Sequence, residues 1–85
     1  MSYPIGFAPV RRNRLSDELV ERILGSIAAG DLRPGDRLPP IAQMARTFRV
    51  AANTVREALI RLEGRRAIEI RQGTGVFITS GVEDG

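Results

Sequence analysis

In residues 50 to 78, VAANTVREALIRLEGRRAIEIRQGTGVFI, the spacing of apolar side chains switches from a helical period to a strand period around Gly64. Val55, Ala58, Leu59 and Leu62 recur at i, i+3, i+4 and i+7, one stripe of a helix, which predicts that the stripe is buried. Asn53 and Arg56 fall on the opposite side, with Arg49 just ahead of the helix. Beyond Gly64, Ile68 and Ile70 alternate with Glu69 and Arg71. Gln72-Gly73-Thr74-Gly75 then turns the chain, and Val76-Phe77-Ile78 returns as a second strand. A helix with one polar face beside a basic hairpin suits a DNA major groove and its flanking phosphates, which points to a winged helix-turn-helix.

The upstream residues supply the rest of such a domain. Ser16 offers an N-cap, Asp17 and Glu18 place negative charge in the first turn, and Leu19, Val20, Ile23, Leu24 and Ile27 follow at helical spacing. With Gly30 as a stop, the first helix is expected over about 16–29. Pro34-Gly35 makes a tight turn, and Leu38 enters a very short strand. A second helix is expected to start near Pro40, a residue favoured at the first helical position, and to turn Ile41, Met44, Ala45 and Phe48 inward. The fold class expected is therefore mainly α with a small β-wing: three helices and a two- to three-stranded antiparallel sheet. Residues 1–14, with two prolines and the arginines Arg11, Arg12 and Arg14, are expected to form a flexible basic arm. Residues 15–80 are expected to form the domain, and residues 81–85 a tail.

Composition narrows the chemistry. The 85 residues include no Cys and no His, which removes disulfides, thiolate and imidazole metal sites, and nearly all nucleophile–base catalysis. No catalytic residue, metal site or cofactor is expected. Gly73-Thr74-Gly75 is not a nucleotide-binding loop, since no lysine follows it and no helix begins there. There is neither an apolar run long enough for a bilayer nor a signal-peptide pattern, so a soluble cytoplasmic protein without membrane contact is expected. The net charge of +3 is modest, but all 13 basic residues are arginines, whose planar fork matches phosphate oxygens and the guanine edge.

Three motifs carry a resemblance to a known family. Gly30-Asp31-Leu32-Arg33-Pro34-Gly35-Asp36-Arg37-Leu38-Pro39 resembles the G-x-L-x-P-G-x-x-L-P opening of the GntR family of bacterial transcription regulators. Thr54-Val55-Arg56-Glu57-Ala58-Leu59 with Arg61-Leu62-Glu63 is similar to its T-V-R-E-A-L-x-x-L-E. Ile70-Arg71-Gln72-Gly73-Thr74-Gly75-Val76-Phe77-Ile78 is similar to its R-x-G-x-G-x-F-V. The middle motif looks most like the branch that joins this domain to an all-helical ligand-binding domain. The resemblance implies a homodimer on a pseudo-palindromic double-stranded operator, with helix three (about 51–63) in the major groove and the wing (72–76) on the flanking groove or phosphates. It implies a DNA contact for Arg56, a position that often touches DNA for Asn53, and close backbone approach at Gly73 and Gly75. By their positions, Arg46, Arg49, Thr54, Arg71, Gln72 and Thr74, with Arg12 in the arm, complete the candidate contacts.

The chain departs from the family's pattern in three places. Pro40, Ile41 and Ala42 stand where the family usually has Ser-Glu-Arg, and Val50-Ala51-Ala52 where it usually has V-S-R, so two DNA-contacting arginines and an N-cap hydroxyl are gone. Each lost contact is typically worth about 1–3 kcal/mol. Thr54 and Glu57 fit a capping box, which would let helix three begin at Thr54. The family's second, metabolite-sensing domain would begin after Ser80, so a small-molecule effector is expected only with such a domain. Ile60 falls beside Arg56 on the outer side of helix three. A single exposed apolar residue there is ordinary, and the alternatives are a thymine methyl or a partner chain. With Ala42, Ala52 and Ile60 making this face less charged, a winged helix that binds a protein instead of DNA is the second reading.

Overall fold

Residues 14–79 are described in the computed structural model, so the arm with Arg11 and Arg12, and the tail at 81–85, lie outside the described residues. The elements follow in the predicted order: α1 (Arg14–Ala28), α2 (Ile41–Phe48), α3 (Ala52–Gly64), β1 (Ile68–Arg71) and β2 (Gly75–Ile78). The stripe of α3 forms the centre of the core. Val55, Ala58 and Leu62 are completely buried and Leu59 nearly so. Around them pack Leu19, Val20 and Ile23 of α1, Met44 of α2, and Ile68 and Ile78 of the hairpin, with Leu38 and Ala67 from the connections. Ile41, Ala45, Phe48 and Val50 pad the edge of this cluster.

α1 starts earlier than expected. Ser16 is not its cap but lies within the helix, completely buried. The reason is spacing: Ser16, Leu19, Val20 and Ile23 share one stripe, and the position nearest the helix start takes a small side chain against the core. At the other end Gly30 has φ +88°, and the Gly30 and Asp31 amides donate to the Ile27 and Ser26 carbonyls, closing the helix as the sequence predicts. An ion pair between Asp17 and Arg61 clasps α1 to α3 on the surface.

Pro40 stands one position outside α2 as its N-cap, not at the first helical position; its ψ of 152° is extended, while its carbonyl already accepts from the Met44 amide. α3 likewise begins at Ala52 with Ala51 as N-cap, and does not fray to Thr54. The Thr54 and Val55 amides both donate to the Ala51 carbonyl, so Thr54 is already helical and no capping box forms.

β1 and β2 pair antiparallel, with Ile68 opposite Ile78, Glu69 opposite Phe77, Ile70 opposite Val76 and Arg71 opposite Gly75. Ile68, Ile70, Val76 and Ile78 therefore share the face turned to the core, while Glu69, Arg71 and Phe77 share the outer face. The predicted short third strand reduces to a single bridge between Arg37 and Phe77. Gly35 donates to the Ile78 carbonyl, Ile78 to that of Asp36, and Leu38 to that of Val76. Pro39 and Pro40 follow, and neither has an N–H to extend the ladder.

Because Leu62 touches the core with no solvent exposure, Leu62→Ala should lower unfolding free energy by about 2–5 kcal/mol. Urea denaturation followed by circular dichroism measures this. An unchanged midpoint would mean that α3 is not the centre of the core.

Candidate nucleic-acid interface

The helix-turn-helix is made by the way α2 ends. Arg49 adopts φ 59°, ψ 49°, the left-handed region, and its amide donates back to the carbonyls of Ala45 and Arg46. The Val50 amide donates to the Ala45 carbonyl at 3.0 Å, which tucks Val50 against the core and leaves Arg49 exposed. A residue with a Cβ in this conformation is strained by about 1 kcal/mol or more, and glycine is the usual occupant. Ala51 then caps α3 without a side-chain hydrogen bond. The first amides of α3, which have no helical acceptor, are thus not covered by a capping side chain.

With the other side of α3 locked in the core, Asn53, Arg56 and Ile60 form its exposed stripe at i, i+3 and i+7. The Arg56 guanidinium donates to Asn53 Oδ1 at 3.0 Å, a bond that holds both side chains along the helix surface. Thr54 is half-buried, while Arg46 is exposed in the last turn of α2. Arg46, Arg49 and Arg56 have no carboxylate partner among the described residues, whereas Arg22, Arg61 and Arg71 each pair with one. Positive charge is therefore left unneutralised on the turn and on the start of α3.

Gln72, Gly73 and Thr74 form the wing tip, where the Thr74 amide donates to the Arg71 carbonyl and Gly73 takes φ +76°. Arg71 lies on the outer face of the wing, bonded to Glu69 Oε1 at 3.2 Å and stacked 4.5 Å from the centre of the Phe77 ring. Its charge is paired within the wing, whereas Arg49 and Arg56 have no carboxylate partner among the described residues. Gly75 has a second role that the sequence did not show: a Cβ there would lie 2.6 Å from Nε of Arg37. Arg37, exposed and unpaired among the described residues, packs over the glycine at the root of the wing tip. The missed signal was the alternation around Leu38: if Leu38 points inward, Arg37 must point out onto the sheet surface.

The exposed stripe of α3 and the wing meet. Ile41, Arg56, Leu59, Ile60, Ile70 and Val76 line one shallow cavity of about 230 Å³ between them. A larger cavity of about 650 Å³ runs between α1 and α2, past Ile23, Leu32, Met44 and Phe48, and includes none of the candidate contacts. Among the described residues no group of acidic, His or Cys side chains is placed to hold a metal, and no helix is long and apolar enough to cross a membrane.

Comparison with known proteins places this geometry. Residues 15–78 match the family described as bacterial regulatory proteins, gntR family. The putative HTH-type transcriptional regulator RmpR of Mycobacterium gastri is 43% identical over 67 residues, which is 76% of this chain and 24% of that protein. A transcriptional regulator from Oenococcus oeni has a similar crystal structure, with a TM-score of 0.76 at 32% identity over 80% of this chain and 57% of that one. AraR(DBD), solved in complex with operator ORR3, gives a TM-score of 0.74 at 25% identity, covering 76% of this chain and 78% of that one. The chain spans about a quarter of the length of the first curated relatives that it matches.

The strained turn makes a direct prediction. Arg49→Gly should raise unfolding free energy by about 0.5–1 kcal/mol, since relief of the left-handed strain exceeds the entropy that glycine adds to the unfolded chain. A lower denaturation midpoint for this variant would show that the Arg49 side chain supports the fold.

Proposed function

The chain belongs to the gntR family of bacterial regulatory proteins, and we propose that it is the operator-binding part of a transcription regulator of that family. In this reading α3 enters the major groove of double-stranded DNA and the wing lies on the flanking groove or phosphates. The observation that carries it is the exposed stripe of Asn53 and Arg56, on a helix whose opposite side is wholly buried, directly beside the wing. Arginine is the commonest partner of the guanine major-groove edge and asparagine that of adenine. The AraR(DBD)–operator complex supports the same choice of partner.

The residues then divide by task. Asn53 and Arg56 read base edges, with Thr54 beside them. Arg46 and Arg49 hold the phosphates next to the turn, and Gln72, Gly73, Thr74 and Gly75 bring wing backbone close to the duplex. Arg71 stiffens the wing through Glu69 and Phe77. Arg37 adds a phosphate contact beside Gly75. Binding as a homodimer on a pseudo-palindrome would place two α3 helices about one helical turn of DNA apart. A small-molecule effector would act through a further domain of the kind that the longer relatives have room for, and the setting would be the bacterial cytoplasm.

A second reading, a winged helix that docks a protein, rests on the exposed Ala42 and Ile60 beside the unpaired arginines. Salt dependence separates the two, because release of counterions from DNA makes affinity fall steeply with salt. Fluorescence anisotropy on duplexes from a selected pool should show Arg56→Ala losing discrimination between sequences while its thermal transition stays native. Arg37→Gln should weaken all duplexes alike and reduce the slope of log affinity against log salt by about one. Parent-like discrimination in Arg56→Ala would remove the reading of α3 as the recognition helix.

A further inference from the structure

The cavity between α3 and the wing is lined by Ile41, Leu59, Ile60, Ile70 and Val76, with Arg56 as its one charged wall. Ile60 is 63% exposed and, with Leu15, one of two large apolar side chains so open among the described residues. It is therefore not a stray surface residue: it forms the rim of an apolar cleft. That cleft lies between the start of α2, the outer stripe of α3 and the inner face of the wing, and so adjoins the proposed interface through Arg56.

We infer that Ile60, backed by Ile70 and Val76, is a specificity-determining contact that receives the 5-methyl group of a thymine in the operator. This rests on the DNA-binding reading and deepens it. Ile60 lies one turn beyond Arg56 on the same stripe, so a duplex that Arg56 reaches is brought against Ile60 also. Of the four bases, thymine alone places an apolar group in the major groove, and apolar side chains are its usual partners. Arg56 at the edge draws in the polyanion, while the cleft itself offers no polar atom other than Arg56's to hydrogen-bond a base. The stripe Asn53, Arg56 and Ile60 thus presents three different chemistries in sequence: an amide, a guanidinium and a branched alkyl group.

The test removes the methyl from either side. Duplexes that the 85-residue chain binds best are selected from a random pool, then resynthesised with each thymine in turn replaced by deoxyuridine. At one thymine position per half-site the substitution should weaken binding by the parent roughly fourfold, the worth of one buried methyl. Ile60→Ala, at an exposed site where truncation opens no core cavity, should bind the thymine duplex more weakly by a similar factor and not distinguish it from the deoxyuridine duplex. Salt-sensitive binding by the parent with no thymine position sensitive to the swap overturns this inference alone. A swap that weakens parent and Ile60→Ala equally also overturns it, by placing the methyl elsewhere. Absence of salt-sensitive binding to any duplex overturns the DNA-binding reading and this inference with it.

Discussion

Burial of one side of α3 is the constraint on which the rest depends. Val55, Ala58, Leu59 and Leu62 reach α1, α2 and β1 at once, so α3 can neither rotate about its axis nor slide without opening the core. Ala58 matters as much as the larger residues, because a side chain this small lets neighbouring elements approach closely. Once that side is locked, the direction of Asn53, Arg56 and Ile60 is set by helical geometry alone. The Arg61–Asp17 ion pair adds little energy at its exposed position, but it ties the outer flank of α3 to α1.

Local pattern made much of this readable beforehand. The 3.6-residue period of α3 and the two-residue alternation of the wing involve neighbours in sequence, so the stripe, the strand alternation and the turn at Gly73 follow from spacing. What could not be read involves either long range or backbone geometry. Arg37 meets Gly75 across the sheet, a contact between residues far apart in the chain. Ser16 carries a strong capping signal, yet its place on the Leu19–Ile23 stripe wins, and tertiary packing overrides the local cue. At Thr54 the same competition fails for the opposite reason: Ala52 and Asn53 are compatible with a helix that already packs through Val55, so the helix extends past the capping box.

The two lost arginine positions gain meaning beside the strained one. Arg49 holds a left-handed conformation at the end of α2, and Arg66 does the same after α3, where its amide and that of Ala67 donate to Glu63 and Leu62. Strain of this kind tends to mark functional positions. At Arg49 it sets a guanidinium with no carboxylate partner among the described residues beside the start of α3, close in sequence to Ala52, where the family resemblance implies an arginine. On the proposed reading Arg49 would stand in for that charge, at a cost in stability that glycine would avoid. Arg37 over Gly75 places a second positive group at the wing, and on the proposed reading the charge of the DNA-facing side would shift from helices to turns.

If one face, formed by the turn, the outer stripe of α3 and the wing tip, meets DNA, its backbone amides should respond together to a duplex. A titration of the isotopically labelled 85-residue chain with a short duplex, followed residue by residue through backbone amide shifts, reads out that response. Shifts should concentrate at Arg49–Arg56 and at Gln72–Gly75, and should leave Glu18, Glu21 and Arg22 on the solvent side of α1 unmoved. Shifts centred on α1, with α3 and the wing tip silent, would contradict it.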